Sequence, residues 1–274
     1  MSAPQSAPVA GTHPGPQLDV SGTAPIPFSR LVSVELRKTA DTRAGRWLLI
    51  SMAALTALVM GIQLAVVVVQ DLSVGYADFM TATSFSIAIL LPVLGILLLT
   101  SEWGQRTAMV TFSLEPRRPR VILAKLTVGV LLAFAAVVVA LVLGAVANLL
   151  YGAFAGVSPT WDLSLLKILS FLLLQVIGIL TGFALAALLL NSAAAIVVYM
   201  VYSFVFPGLF ELGSNLMGWF HDLRPWIDFN AAQNPLIDAS MTGEDWAHFA
   251  VSGVLWLVLP LSIGLWRVLR AEVK

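Results

Sequence analysis

The stretch RKTADTRAGRWLLISMAALTALVMGIQLAVVVV, Arg37 to Val69, decides the fold. From Trp47 onward it contains no charged residue, and its only polar side chains are Ser51, Thr56 and Gln63. A run of this length exceeds the roughly 20 residues a helix needs to cross a bilayer core at about 1.5 Å per residue. Its apolar residues are continuous rather than alternating, which favours a helix over a barrel strand. Immediately before it stand Arg37, Lys38, Arg43 and Arg46, the cationic flank that marks the cytoplasmic end of a span.

Outward from this stretch the same pattern recurs five times, placing spans at 47–69, 81–99, 126–150, 167–190, 192–209 and 246–266. The chain is 59% hydrophobic and 11% charged, with mean hydropathy +0.92, which excludes an ordinary soluble domain. Six spans put both termini on one side. Thirteen of the fifteen Lys and Arg residues then fall on that side: Arg30, Arg37, Lys38, Arg43 and Arg46; Arg106, Arg117, Arg118, Arg120 and Lys125; Arg267, Arg270 and Lys274. The other face holds only Lys167 and Arg224, and its last loop carries Glu211, Asp222, Asp228, Asp238, Glu244 and Asp245. The basic side is therefore read as cytoplasmic. Net charge is zero, so the basic residues serve orientation and anionic lipid, and nothing argues for nucleic acid as a partner. With no Cys there is neither a disulfide nor thiolate chemistry.

Residues 1–27 carry Pro4, Pro8, Pro14, Pro16, Pro25 and Pro27 among Gly, Ser and Ala and lack an apolar core. They read as a disordered cytoplasmic tail without a cleavable signal peptide, ahead of one membrane domain over 28–274. Phe28, Leu31, Val32 and Leu36 recur at helical spacing between Arg30, Ser33, Arg37 and Lys38. This predicts a short amphipathic helix, either lying in the membrane interface or simply extending the first span. In SEWGQRTAMVTFSLEPRRPRVILAK, residues 101–125, Ser101 and Glu102 can open a helix. Met109, Val110, Phe112 and Leu114 can form its packing surface, and Pro116 and Pro119 end it. That segment is either a docking surface for another protein or a connector that only sets topology.

Spans four and five meet at Asn191 and Ser192, as a tight hairpin or as one broken helix. Between spans five and six, residues 211–245 are too interrupted to span and too apolar for a free loop, so they predict short helices dipping into the opposite interface, as a gate or a cap. Gly152 with Gly156 and Gly178 with Gly182 have the spacing of close helix contacts.

The span interiors offer neutral groups, Gln63, Asn148, Gln175 and Thr181, with Pro92 a kink. Gln63 and Gln175 either tie helices together or line a path. No buried charge is expected that would couple the chain to an ion gradient. Lys38 and Thr39 form the only Lys-Ser/Thr pair, and Leu36 and Arg37 stand where a phosphate-binding loop needs its glycine cradle, so ATP hydrolysis would fall to a partner. HExxH and GxSxG are absent, and the His residues are His13, His221 and His248. His248 can share a helical face with Glu244 and Asp245, a pattern that wet loop ends produce without any metal.

Taken in order, VELRKTADTRAGRW (residues 34–47), SEWGQRT (101–107) and LEPRRPRVILAK (114–125) within a six-span layout resemble the membrane subunit of an ABC transporter of the type-2 exporter class. The resemblance covers about 28–269. It implies an interfacial elbow helix over about 28–42, and a coupling helix that inserts into a separate ATPase subunit, with Glu102, Arg106, Thr107, Glu115 and Pro116 in or beside the docking region. It also implies outer re-entrant helices before the last span. The implied assembly pairs two six-span subunits, as a homodimer or with a relative, on two ATPases that hold ATP and Mg. This chain itself would bind no cofactor or metal and perform no covalent chemistry. The implied setting is a bacterial cell membrane, and the cargo a drug, lipid or peptide. A non-transporting anchor or regulatory protein, or a passive channel, would have the same topology.

Overall fold

The computed structural model describes residues 26–104 and 108–270, and among these no strand occurs. Arg106, Thr107 and residues 1–25 of the expected tail lie outside the described residues. Six helices are long and apolar enough to cross a membrane: α2 (Arg43–Val69), α3 (Tyr76–Gly104), α5 (Arg118–Ala155), α6 (Leu165–Leu189), α7 (Ser192–Leu216) and α11 (Gly243–Arg270). They are preceded by α1 (Phe28–Asp41). A short helix α4 (Ala108–Leu114) separates α3 from α5. Between α7 and α11 run α8 (Gly218–Ile227), α9 (Phe229–Ala232) and α10 (Asn234–Ile237). The chain is thus an all-α polytopic membrane protein.

Every expected span is present, and each helix except α6 runs well beyond its apolar run. Polar flanks continue a helix freely once they leave the apolar layer, so hydropathy marks the buried length and not the helix end. Ends are set by local chemistry. Thr42 breaks α1 from α2 by adopting an extended backbone, and its hydroxyl accepts from Gly45 N at 3.2 Å. A Cβ on Gly45 would lie 1.9 Å from Thr39 O, so the corner requires glycine. The segment before the first span is therefore a separate helix. Leu190, left-handed at φ 51°, ends α6, and the Asn191 side chain accepts from Ala194 N at 3.0 Å to start α7. Spans four and five are accordingly two helices joined at a tight turn. A capping box of Thr242 and Asp245 starts α11.

The inside of the bundle is α3 against α6, with α5 and α2 packed beside them. Of the most apolar window of α3, 56% is buried within the chain, against 17% for α2 and α7 and 11% for α11. The latter three helices present broad exposed apolar faces. Pro92 lies within α3 and removes the N–H that would bond Ala88 O; the Tyr199 hydroxyl of α7 donates to that carbonyl instead, at 2.6 Å. Gly178 and Gly182 bring α6 onto this kink: a Cβ on Gly182 would meet Pro92 O at 2.1 Å. Gly152 and Gly156 do not mediate a helix contact. Gly156 is the left-handed cap of α5 at φ 69°, and Gly152 faces Pro159 in the following loop.

Candidate functional site

At the basic end of the bundle four charged side chains meet. Glu35 and Lys38, one turn apart on α1, face the C-terminal end of α3 at Glu102 and the first turns of α5 at Lys125. Lys125 Nζ donates to Glu35 Oε2 at 2.5 Å and to Leu98 O at 3.0 Å, and lies 3.2 Å from Glu102 Oε1. Lys38 Nζ donates to Glu35 Oε1 at 2.6 Å and to Glu102 Oε1 at 2.9 Å. The Thr111 hydroxyl of α4 joins the same Glu102 oxygen at 3.1 Å. Two carboxylates and two ammoniums close the network without net charge. It joins four helices separated by up to 90 residues of chain.

Burial decides what these contacts are worth. Glu102 is 3% exposed and Lys125 2%, so their mutual attraction acts in a low-dielectric setting and each depends on the other. Lys38 is the wet member, with 41% of its side chain exposed. Partial burial pulls its pKa down, but hydrogen bonds and charge from Glu35 and Glu102 outweigh that and hold the ammonium above its ordinary 10.5. Glu102 Oε2 is buried without a hydrogen-bond partner among the described residues.

A cavity of about 600 Å³ opens beside the network, bounded by α1, the end of α3, α4 and Val121 of α5. Below it, Glu115 is buried and accepts from Arg120 Nη1 at 2.8 Å, while Arg120 Nη2 donates to Ile26 O at 2.7 Å. Arg118 Nη1 donates to Leu269 O at 3.2 Å, so the starts of α1 and α5 and the end of α11 share this face.

The sequence-predicted residues sort as follows. Glu102 and Glu115 point inward, each tied to a basic partner, while Pro116 is exposed. Ser101 and Glu102 do not open the loop helix; they belong to the last turn of α3, because the helix continues past its apolar run. Met109, Val110 and Leu114 stand exposed, while the Phe112 side chain lies outside what is described. Pro116 and Pro119 end one helix and begin the next as expected, with Pro119 in the first turn of α5. On α1, Phe28, Leu31 and Val32 are half-buried, and Leu36 is exposed. Gln63 Nε2 donates to Asp78 O at 3.2 Å, and its Oε1 is buried without a partner among the described residues. Gln175 is buried in α6, distant in sequence and helix from the network. His221 shares a hydrogen bond with Ser214, and His248 stacks edge-on against Trp226 with Glu244 3.9 Å away.

Glu35, Glu102, Glu115, Lys125 and Asp228 are buried, all of them outside the apolar runs whose interiors read as neutral. They escape a hydropathy reading because they sit at helix ends, in loops and on α1, and Glu35, Glu102 and Lys125 meet only where α1 folds against the span ends. Glu35 and Lys125 were missed for this reason. A signal was present, since Glu35 lies one helical turn after Leu31 on the inward face of an amphipathic helix and demands a cationic partner. Compared with known proteins, the chain matches no family profile, and no curated protein matches it.

Proposed function

We propose that this chain is the permease subunit of an ATP-driven exporter of the ABC type-2 class. The observation that carries the reading is the buried network, which locks an amphipathic helix and a loop helix onto the same two span ends. Charge-assisted bonds at 2.5–3.2 Å leave little slack, so a push on α4 moves α1, α3 and α5 together. On this reading α1 is the elbow helix, α4 the coupling helix, and α8 to α10 the outer re-entrant elements. The basic face is cytoplasmic, with both termini inside a bacterial plasma membrane.

Two ATPase subunits hold the ATP and Mg and dock on the exposed Met109, Val110 and Leu114, with Arg117 beside them. Glu102 and Glu115 hold the docking segment in place from within, Pro116 shapes its end, and Arg106 and Thr107 belong to the same segment by sequence. A second six-span subunit, identical or related, packs on the lateral faces of α2 and α7, which the chain itself leaves open. The chain supplies a path and a linkage and makes no covalent bond; the cargo is a drug, lipid or peptide.

The test is co-expression with the ABC ATPase encoded beside it, then export from liposomes. The complex should co-purify and export only with ATP, and Glu102→Gln or Arg106→Ala should lower export per ATP hydrolysed while membrane insertion is kept. Cargo flux through the chain alone, or labelling of an Arg117→Cys variant from the outer face, would replace this reading with a passive channel or an anchor.

A further inference from the structure

The cavity of about 600 Å³ beside the charge network has walls of two characters. On its α1 side, Arg30, Val34 and Lys38 recur every four residues and so share one helical stripe. Along α3 it runs from Glu102 past Leu98 and Leu97 to Leu94, a descent of about 12 Å into the span. A second hollow, of about 170 Å³ between α2, α3 and α5, is lined by the same Leu94 together with Leu49, Met52, Ile87 and Leu132. Of its lining residues only Thr56 is polar, and that hydroxyl is already bonded to Met52 O and to Ser86, both at 2.8 Å. Apolar walls therefore continue from the charged level into the depth of the bilayer.

At the charged level one cation is left over. Glu35, Glu102 and Glu115 of the wall are matched by Lys38, Lys125 and Arg120. Arg30 is exposed, and its guanidinium has no hydrogen bond or ion pair among the described residues. Lys38 commits two of its three N–H donors to the network and keeps 41% of its side chain exposed, so one donor remains for a guest.

These two characters choose between occupants. Water stays in a cavity where about two to four polar partners hold it, and the Leu94 end offers none. A free anion would use the upper level alone and leave the leucine walls empty. A molecule with an anion above and an apolar chain below satisfies both, and the leaflet at the basic end of the bundle supplies such molecules at the right depth.

We propose that this cavity holds one acyl chain of an anionic phospholipid, with its phosphate taken by Arg30 and the remaining donor of Lys38. A guanidinium meets phosphate bidentately, and the ammonium adds a point charge beside it. The site rests on the membrane fold alone and needs no ATPase.

The full-length chain, purified in detergent, is titrated with dioleoyl phosphatidylglycerol, and bound lipid is counted by native mass spectrometry. Dioleoyl phosphatidylcholine supplies the same chains without net charge. The anionic lipid should fill one site severalfold more tightly. Arg30→Gln should bring the two lipids to near parity without changing the melting temperature. Arg37→Gln should keep the preference, since Arg37 is exposed on the same helix but does not line the cavity. Val34→Trp fills the hollow from a position that is 44% exposed, and should weaken both lipids severalfold; Val34→Phe serves if the tryptophan variant does not fold. Excess inorganic phosphate should not displace the lipid. Equal binding of the two lipids by the parent would overturn the anionic class. Equal losses in Arg30→Gln and Arg37→Gln would mean diffuse attraction to a basic surface and no built site. Displacement by inorganic phosphate, or undiminished lipid binding in the Val34 variants, would remove the acyl chain from the cavity. Each of these results leaves the exporter reading untouched, because no ATPase is present.

Discussion

Lys125→Met is the sharpest test of the charge network. Methionine keeps most of the lysine stem's volume while removing the charge and three donated contacts, to Glu35, Glu102 and Leu98 O. Glu35 and Glu102 are then left buried with Lys38 alone between them, and Lys38 is the most solvent-exposed of the four. Removing one partner of a buried ion pair costs about 3–5 kcal/mol, since the other charge stays desolvated and uncompensated. At roughly 2–4 °C per kcal/mol for a domain near this size, the apparent melting temperature should fall by about 10 °C. Glu102→Gln in the same chain restores a one-to-one charge balance, so the double variant should be more stable than Lys125→Met by about 1–3 kcal/mol. Reversible unfolding in mixed micelles, followed by circular dichroism, measures the three variants against the parent. A Lys125→Met variant within about 1 kcal/mol of the parent, or strictly additive effects, would refute an energetically coupled network.

Gly182→Ala places a methyl against Pro92 O and should destabilise by about 1–3 kcal/mol, whereas Gly61→Ala, with open space around its Cβ, should be neutral or slightly stabilising; thermal unfolding of both checks the α3–α6 contact. Ala239 has a left-handed backbone at φ 52°, so Ala239→Gly should raise stability by about 1 kcal/mol, read as a shift in denaturation midpoint. Because the Lys38 pKa is raised on folding, its contribution is complete below the unfolded value of 10.5 and is lost as pH rises through the folded value. The parent should therefore show a decline in melting temperature above about pH 10.5 that Lys38→Met lacks, and identical alkaline profiles would exclude the contribution. Val110→Glu with Leu114→Glu should leave insertion and melting unchanged yet prevent ATPase co-purification.

The spans were legible because the bilayer imposes a single demand, about 20 apolar residues, that the sequence meets in unbroken runs. The α1/α2 break was open in sequence, since Thr42 and Gly45 signal a corner only when Thr39 O is known to approach. The α6/α7 turn was open for a similar reason: it depends on Leu190 adopting a left-handed backbone, which leucine rarely does and composition cannot announce. At the site, Glu102 and Glu115 were picked from their segment, but the identity of their partners was not legible. Lys38 and Lys125 lie 64 and 23 residues from Glu102, and pairing over such separations is fixed by which helix faces meet. The cavity beside α1 was only half visible. Arg30 reads as one of the polar residues of an amphipathic helix, while the leucine-walled hollow next to it exists only once α1 stands beside the end of α3.

The buried network at the basic end of the bundle bears on why it is charge at all. Four apolar side chains could pack in the same space at no lower stability, since desolvation cancels much of the attraction in a buried ion network. Apolar packing, however, tolerates sliding of one helix along another, because a leucine accepts many neighbours. A carboxylate shared by Lys38, Thr111 and Lys125 accepts few positions, and Glu102 Oε1 takes all three. Displacing α4 by an ångström or two would lengthen the Thr111 bond beyond hydrogen-bond range, where attraction falls steeply. Ionic contacts therefore fix the register of α1, α4 and the span ends, while the small-residue contacts of α3 with α6 hold the interior together. Under the proposed exporter function, that division sets rigidity where the push arrives and leaves the lateral faces of α2, α7 and α11 free to move.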